Sequence, residues 1–465
     1  MSPPEYSAWI LIVQCSSYLA ILDFGLQTAI GKFVAEYDSI NDRIASSRTL
    51  SNSIAILCFS SALGAMTTFV VSWYVPQLFH QMPAYLINPL RVGILVVGLA
   101  ACFALPFNAF LAVFVGLQRY GFPAAVAIVS KVISSIALIT FLLLHATLAQ
   151  LAWLLAISNV MTALAQFAGW KRYARGRVDF SLRLISARSI MSLAQYGAVV
   201  SIWTLAMLLI SGTDLFIVGH FDYGNTGYYG IASNATNFLL LLITSLFSPL
   251  LPAVSGMLST RTPRQIGEIT IRMTRYCVIT ICILALPLLI GGYPLLRIWV
   301  GSNYATRCVV FLNILVLGNA VRMIFYPYTV VVVATHTQHL ATISAVVEAL
   351  VNFGLSLYLV HRIGAAGVAV GTMVGAFVGA TLHFTVSMAR TRTRIEISRR
   401  KFGLEGLLRP MTCTIPSVVA ALVFQKSTSL VLNPWSLVAW AVATLALIWW
   451  VGLNWEERAV LWDRA

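Results

Sequence analysis

Five ionisable side chains stand within or beside long apolar runs of a 465-residue chain: Lys131, Arg322, Glu348, Asp23 and Asp214. A charge at the centre of a bilayer costs about 3 kcal/mol on insertion scales, so each is a candidate for function. Arg322 brings a planar fork for bidentate hydrogen bonds and Lys131 a compact point charge; together they suit an anionic group. Glu348, Asp23 and Asp214 are candidates for coupling to a proton or sodium gradient, because burial and nearby cations shift a carboxyl's hold on its proton. A structural reading stands beside each. Lys131 pairs with Glu348 to lock two helices, and Asp23 and Asp214, both close to a turn-prone glycine, cap or pin helix ends.

The elements that carry these residues are read from the apolar runs. A hydrocarbon core of about 30 Å needs roughly 20 apolar residues per crossing. Runs of that kind fall at 9–30, 50–75, 91–115, 122–144, 148–170, 190–212, 227–252, 274–293, 307–333, 338–360, 364–389, 411–431 and 435–453, thirteen candidate helices in all. Lys131 and Glu348 each lie about ten residues in from one end of their helices, about 15 Å deep and near the midplane.

The composition agrees. Apolar residues make up 59% of the chain and charged residues 10%, with a mean hydropathy of +0.86. Soluble domains carry about 25% charge, so a soluble enzyme, a nucleic-acid binder and a disordered chain are all excluded. The net charge of +15 is a topology signal. Of 30 basic residues, 23 fall in one alternating set of loops and five in the other, the last two being Lys131 and Arg322. The basic set is cytoplasmic by the positive-inside rule, as is the C-terminus, and its charge also attracts anionic membrane lipids. The seven cysteines form no CxxC pair and lie mostly in apolar runs, so neither a disulfide framework nor a metal site is expected. His336-Thr-Gln-His339 lacks two further ligands.

Thirteen helices with a cytoplasmic tail place Met1 outside, although no basic flank there holds it. The expectation is fourteen crossings with the first one missing from this chain. Basic segments divide the rest: an N-terminal lobe at 1–170, a basic cytoplasmic linker at 171–189, a C-terminal lobe at 190–389, a second basic linker at 390–410, and two additional helices and a tail at 411–465. Both linkers read as amphipathic surface stretches. Sliding 116–167 by 217 positions onto 333–384 sets Lys131 on Glu348, Arg119 on His336, and Ala149 and Ala152 on Ala366 and Ala369. Each copy runs from a polar turn into a helix with one central charge, then into a helix of small residues. Repeats of this kind occur in transporters with alternating access.

Three stretches carry a resemblance. Tyr6-Ser-Ala-Trp9, Tyr18-Leu-Ala-Ile-Leu-Asp-Phe-Gly-Leu26 and Gly31-Lys-Phe-Val-Ala35 form the first. Thr213-Asp-Leu-Phe-Ile-Val-Gly-His220, Gly227-Tyr-Tyr-Gly-Ile-Ala232 and Pro249-Leu-Leu-Pro-Ala-Val-Ser255 form the second. Glu348-Ala-Leu-Val-Asn352 with Gly364-Ala-Ala-Gly-Val-Ala-Val-Gly-Thr372 is the third. In this order they resemble the polysaccharide exporters and lipid-linked oligosaccharide (O-antigen-type) flippases of the multidrug/oligosaccharidyl-lipid/polysaccharide (MOP) exporter superfamily. The family pattern has one helix before the tyrosine–tryptophan segment, and that helix is absent here.

The resemblance implies an all-α polytopic membrane protein with two pseudo-symmetric helical lobes plus two C-terminal helices. It implies a flippase of the bacterial inner membrane, acting in lipopolysaccharide or exopolysaccharide biosynthesis, that moves an isoprenoid-diphosphate-linked oligosaccharide outward by alternating access. Lys131 and Arg322 would then replace part of the hydration of the diphosphate. No cofactor is expected beyond a proton or sodium gradient, and no nucleic-acid partner; other membrane proteins of polysaccharide assembly are candidate partners. Two alternatives stand: a cation-coupled multidrug exporter of the same superfamily, and a membrane-embedded polymerase or glycosyltransferase. The enzyme reading lacks a sizeable extramembrane loop and a nucleophile–base constellation, so the chain is not expected to be an enzyme.

Overall fold

A computed structural model describes residues 1–258, 260–415, 442–452 and 458. It contains helices and no strand among those residues. The helices, in chain order, are α1 (Pro3–Tyr18), α2 (Leu26–Ser39), α3 (Arg43–Trp73), α4 (Val75–Leu78), α5 (Ala84–Gly116), α6 (Gly121–Leu143), α7 (Leu148–Tyr173), α8 (Ala187–Ser211), α9 (Asp214–Phe221) and α10 (Tyr223–Phe247). There follow α11 (Leu250–Met257), α12 (Pro263–Val300), α13 (Ser302–Ile324), α14 (Tyr326–Ala334), α15 (Gln338–Ile363) and α16 (Ala365–Leu382). Ten helical stretches among the described residues are long and apolar enough to cross a bilayer. They match ten of the thirteen runs. The run at 190–212 coincides with α8, and those at 411–431 and 435–453 fall mostly outside the described residues.

Local chemistry sets several ends. The Asp42 carboxylate accepts the Ala45 N–H at 2.9 Å to open α3. Thr147 and Gln150 cap α7 reciprocally, as Thr262 and Gln265 cap α12, each pair satisfying two N–H groups that a helix start leaves orphaned. Prolines act in two ways. Pro106 and Pro287 lie inside the continuous helices α5 and α12, whereas Pro327 stands at the break between α13 and α14. Proline cannot donate to the carbonyl four residues back. The Met323 carbonyl freed in this way accepts the Cys277 thiol at 3.2 Å.

The chain forms two compact units, Met1–Gly227 and Tyr228–Ala465. In the first, α5 is central and packs on α1, α2, α3 and α7. One apolar cluster gathers Leu11, Ile12, Phe79, Leu90 and Ile94; another gathers Leu26, Ile30, Leu50, Phe114 and Trp170. The basic linker at 171–189, read from composition as the divider of the lobes, lies within this unit, and α8 follows it there. The reason is a row of polar side chains on α3. Ser47 Oγ accepts the Asp179 N–H at 2.8 Å, Ser51 Oγ accepts the Ser181 N–H at 3.0 Å, and Asn52 Oδ1 accepts the Ser186 N–H at 2.8 Å. Asn52 also donates to the Leu184 carbonyl at 3.1 Å.

In the second unit α12 packs on α13, α13 on α16, and α15 on α16. The first unit has the same order of partnerships in α3 with α5, α5 with α7, and α6 with α7. The sequence repeat is therefore a repeat of helical hairpins. Lys131 and Glu348 each stand ten residues after the first residue of their helices, α6 and α15. The turns repeat too: Gln118 and His336, just before those helices, take left-handed φ values of 55° and 57°.

Candidate functional site

Of the five candidate residues, the structure brings two together. Arg322 lies in the last turn of α13, just before the proline break, and Glu348 on the buried face of α15. Arg322 Nε donates to Glu348 Oε1 at 2.6 Å, and Nη1 donates to Asn319 Oδ1 at 2.5 Å. Asn319 in turn donates from its amide to the Leu315 carbonyl at 2.9 Å. The pair is well shielded, with side-chain exposures of 15% for Arg322 and 6% for Glu348. Arg322 Nη2 is buried with no hydrogen-bond partner among the described residues.

The local sequence explains how Glu348 comes to be buried. Ser344, Glu348, Asn352 and Ser356 recur every fourth residue along α15, which places them on one face. On α16, Gly367, Gly371, Gly375 and Gly379 recur with the same spacing. A Cβ at Gly371 would meet the side chain and backbone of Ser356, one at Gly375 would stand 2.8 Å from Asn352 Cβ, and one at Gly379 would meet the Glu348 carboxylate. Glycine lets the two backbones approach until the polar side chains lie between them, as small residues do in membrane helix pairs. Beyond Glu348 the row continues with Ser344 and Ser387, whose hydroxyls bond at 2.6 Å.

Lys131, Asp23 and Asp214 lie in the first unit, at separate places. The Glu348 carboxylate pairs with Arg322 inside the second unit, whereas the structural reading of the charges gave it Lys131 as partner. Lys131 is exposed on α6 and has no ion pair among the described residues. Its helix shows three sectors when drawn at 100° per residue. Phe122, Val126, Ser130 and Ala137 form the half-buried side, where the Phe122 ring packs tilted against Phe114 at 4.8 Å. Ile128, Val129, Val132, Ile136 and Ile139 form a broad exposed apolar side. Lys131 stands between them, with the small residues Ala127, Ser134 and Ser135 nearest along the helix and Leu138 and Leu142 further along the same sector. Ser134 donates to the Lys131 carbonyl at 3.0 Å.

Asp23 ends a 3₁₀ turn, Leu19–Asp23, between α1 and α2. Phe24 and Gly25 then take left-handed φ values of 48° and 65°, and Asp23 Oδ2 accepts the Gln27 N–H at 3.3 Å. Its Oδ1 is buried without a partner among the described residues. Asp214 is buried in the first turn of α9. Just before it, the Gly212 carbonyl accepts from the Tyr18 hydroxyl and, at 3.0 Å, from the Gln14 amide.

Residues that the charge criterion passes over complete the picture. A cavity of about 240 Å³ in the first unit is lined by Asn108 of α5 and by Asn159, Thr162 and Gln166 of α7, with Ser16 at its edge. Positions 159, 162 and 166 lie on one face of α7, a spacing visible in the sequence, but uncharged amides raise no alarm in a count of charges. Arg275, at the edge of the run at 274–293 and counted with the basic loop residues, is among the largest fully buried side chains, at 2% exposure on α12. No group of three or more His, Cys, Asp or Glu that could hold a metal ion occurs among the described residues.

No family model and no curated protein matches the sequence. Solved structures do. The lipid II flippase MurJ in an inward closed conformation has a TM-score of 0.69 at 13% identity, covering 96% of this chain and 94% of that one. The inward-facing conformation of a multidrug resistance MATE family transporter of the MOP superfamily also has a TM-score of 0.69, at 14% identity, covering 84% and 91%. A MOP superfamily transporter from Pyrococcus furiosus, described as having a binding pocket of reverse polarity, has a TM-score of 0.54 at 14% identity, covering 84% and 88%. The chain therefore shares the all-α polytopic fold of these transporters.

Proposed function

We propose that this chain is a transporter of the MOP type, not an enzyme, and that it moves an isoprenoid-diphosphate-linked oligosaccharide across the bacterial cytoplasmic membrane by alternating access. The observation that carries the reading is Lys131. An ammonium halfway along a 23-residue apolar helix, exposed and without an acidic partner among the described residues, needs water or an anion. The small residues nearest it on the helix, Ala127, Ser134 and Ser135, leave room for water or a headgroup beside the ammonium, while the isoleucine and valine side suits lipid. Arg322, in the second unit, is a further candidate to meet an anionic headgroup, with Nη2 left to donate to an anion while Glu348 and Asn319 hold the rest of the guanidinium. Glu348, Asp23 and Asp214 are the candidates for coupling to a proton or sodium gradient. The fold of a lipid II flippase, shared over nearly the whole of both chains, supports a lipid-linked cargo.

The test starts from Lys131→Gln. The side chain is exposed and unpaired among the described residues, so the variant should insert and unfold like the parent, within about 0.5 kcal/mol. In cells that depend on this chain, surface polysaccharide should fall at least about tenfold, as expected for the loss of a charge-assisted contact. Arg322 is neutralised together with its partner, as Arg322→Gln with Glu348→Gln, so that no lone buried carboxylate confuses the result. Normal export by a stably inserted Lys131→Gln/Arg322→Gln/Glu348→Gln protein would remove these cations from the mechanism.

A second reading, a cation-coupled exporter of small molecules, draws on Asp23, whose Oδ1 is buried beside a left-handed helix break, and on the shared fold of a multidrug transporter. Efflux of a cationic dye that Asp23→Asn abolishes, with polysaccharide unchanged, would favour it.

A further inference from the structure

The second basic segment is a folded wall. Thr391 is buried and its hydroxyl bonds the Tyr328 hydroxyl at 2.9 Å. Ile395 and Phe402 are fully buried, and Phe402 stacks on Phe325 at 5.5 Å. The Glu396 N–H donates to the Pro263 carbonyl at 3.0 Å, and the Glu396 carbonyl passes directly over Gly267 of α12, where no Cβ would fit. Arg399 Nη2 donates to the Thr385 carbonyl at 2.7 Å.

Anchored in this way, the segment encloses a cleft of about 810 Å³ against α12. Arg264, Arg392, Arg399 and Lys401 line it, with only Glu268 and Glu396 to oppose them. The carboxylates do not quench those cations. Arg264–Glu268, Arg392–Glu396 and Lys401–Glu268 stand at 3.7, 3.9 and 4.0 Å, and all the side chains are about half to three-quarters exposed. Pairs so long and so wet are worth about 0–1 kcal/mol each, so an anion that offers short bonds displaces them. Ile271 and Met388, both buried, and half-buried Ile397 supply an apolar side to the same cleft.

Position selects the ligand. The apolar stretches Pro263–Val300 and Ala365–Arg390 both end at this cleft, so it lies at the level where a membrane-spanning helix meets the headgroups. Loop charge assigns that level to the cytoplasmic leaflet, which is where anionic lipids attract basic segments. We propose that the cleft is a binding site for an anionic glycerophospholipid. Its phosphate is held by Arg392, Lys401 and Arg264, and the start of its acyl chains lies along Ile271, Met388 and Ile397. A free phosphate meets the same cations but leaves the apolar side uncovered.

The test uses the full chain, released from vesicles of phosphatidylcholine with added phosphatidylglycerol and weighed intact by native mass spectrometry. The parent should retain one phosphatidylglycerol selectively. Arg392→Gln/Lys401→Gln should retain it about tenfold less, the loss expected for charge-assisted bonds. Ile397→Gln, which leaves every charge in place, should weaken retention as well. Arg175→Gln/Arg177→Gln, with the same change of net charge in the other basic linker, should retain it like the parent. Size-exclusion profiles and unfolding temperatures establish that each variant is folded. Undiminished retention by a folded Arg392→Gln/Lys401→Gln protein, or equal loss in the Arg175→Gln/Arg177→Gln control, would overturn the site. Release of the lipid by millimolar inorganic phosphate would assign the cleft to a soluble phosphate and overturn the lipid.

Discussion

Arg322 and Glu348 illustrate what one residue pair can be asked to do in an apolar setting. Removing a single partner of a buried ion pair leaves an uncompensated charge and costs about 3–5 kcal/mol, whereas replacing both by apolar groups of similar size is often neutral. Glu348→Ala should therefore lower the unfolding midpoint in detergent clearly, and Arg322→Met/Glu348→Leu should recover most of the loss. Equal destabilisation by the single and double variants would mean that the two charges do not hold one another. The charged candidates of the two units were readable from the sequence, because Lys, Arg and Glu inside an apolar run stand out. Asn108, Asn159 and Gln166 were not, being uncharged. Arg275 was hidden for another reason: a loop count claimed it, although the helix begins twelve residues earlier, at Pro263.

At the scale of elements, the contact between α15 and α16 depends on glycine at particular places. Gly371→Ala would drive a methyl group into the backbone of Ser356, which cannot yield, and overpacking of this kind costs about 1–3 kcal/mol. Gly379→Ala meets only the Glu348 side chain and should cost less. Gly354, inside α15, has nothing within 4 Å of an added Cβ, so Gly354→Ala should stabilise by about 0.5–1 kcal/mol through helix propensity. Unfolding midpoints of the three proteins should rank Gly354→Ala, Gly379→Ala, Gly371→Ala from highest to lowest. A Gly371→Ala protein as stable as the parent would show that the helices are not in this close contact. The four-residue spacing of these glycines is legible in the sequence. Their partners are not, since spacing alone does not say which helix lies opposite.

For the molecule as a whole, the distribution of 23 against five basic residues predicts sidedness. In a cysteine-free background, Arg175→Cys and Thr393→Cys should react with a membrane-impermeant thiol reagent only in inverted vesicles, and Asn303→Cys only in intact cells. Labelling of Thr393→Cys from outside would reverse the orientation and remove the cytoplasmic placement of the basic cleft. Hydropathy by itself determined the class and the positions of most crossings, because the bilayer imposes one length and one polarity on every helix that enters it. The repeat by itself determined that α6 and α15 stand at equivalent places. Only the tertiary structure decided that the linker at 171–189 is fastened to α3 and that the compact units divide at Gly227. It alone decided that Glu348 pairs with Arg322, and that the segment after Arg390 closes a cleft. Each of these depends on which polar groups meet across helices distant in sequence, and in a chain this uniformly apolar, composition cannot distinguish one such meeting from another.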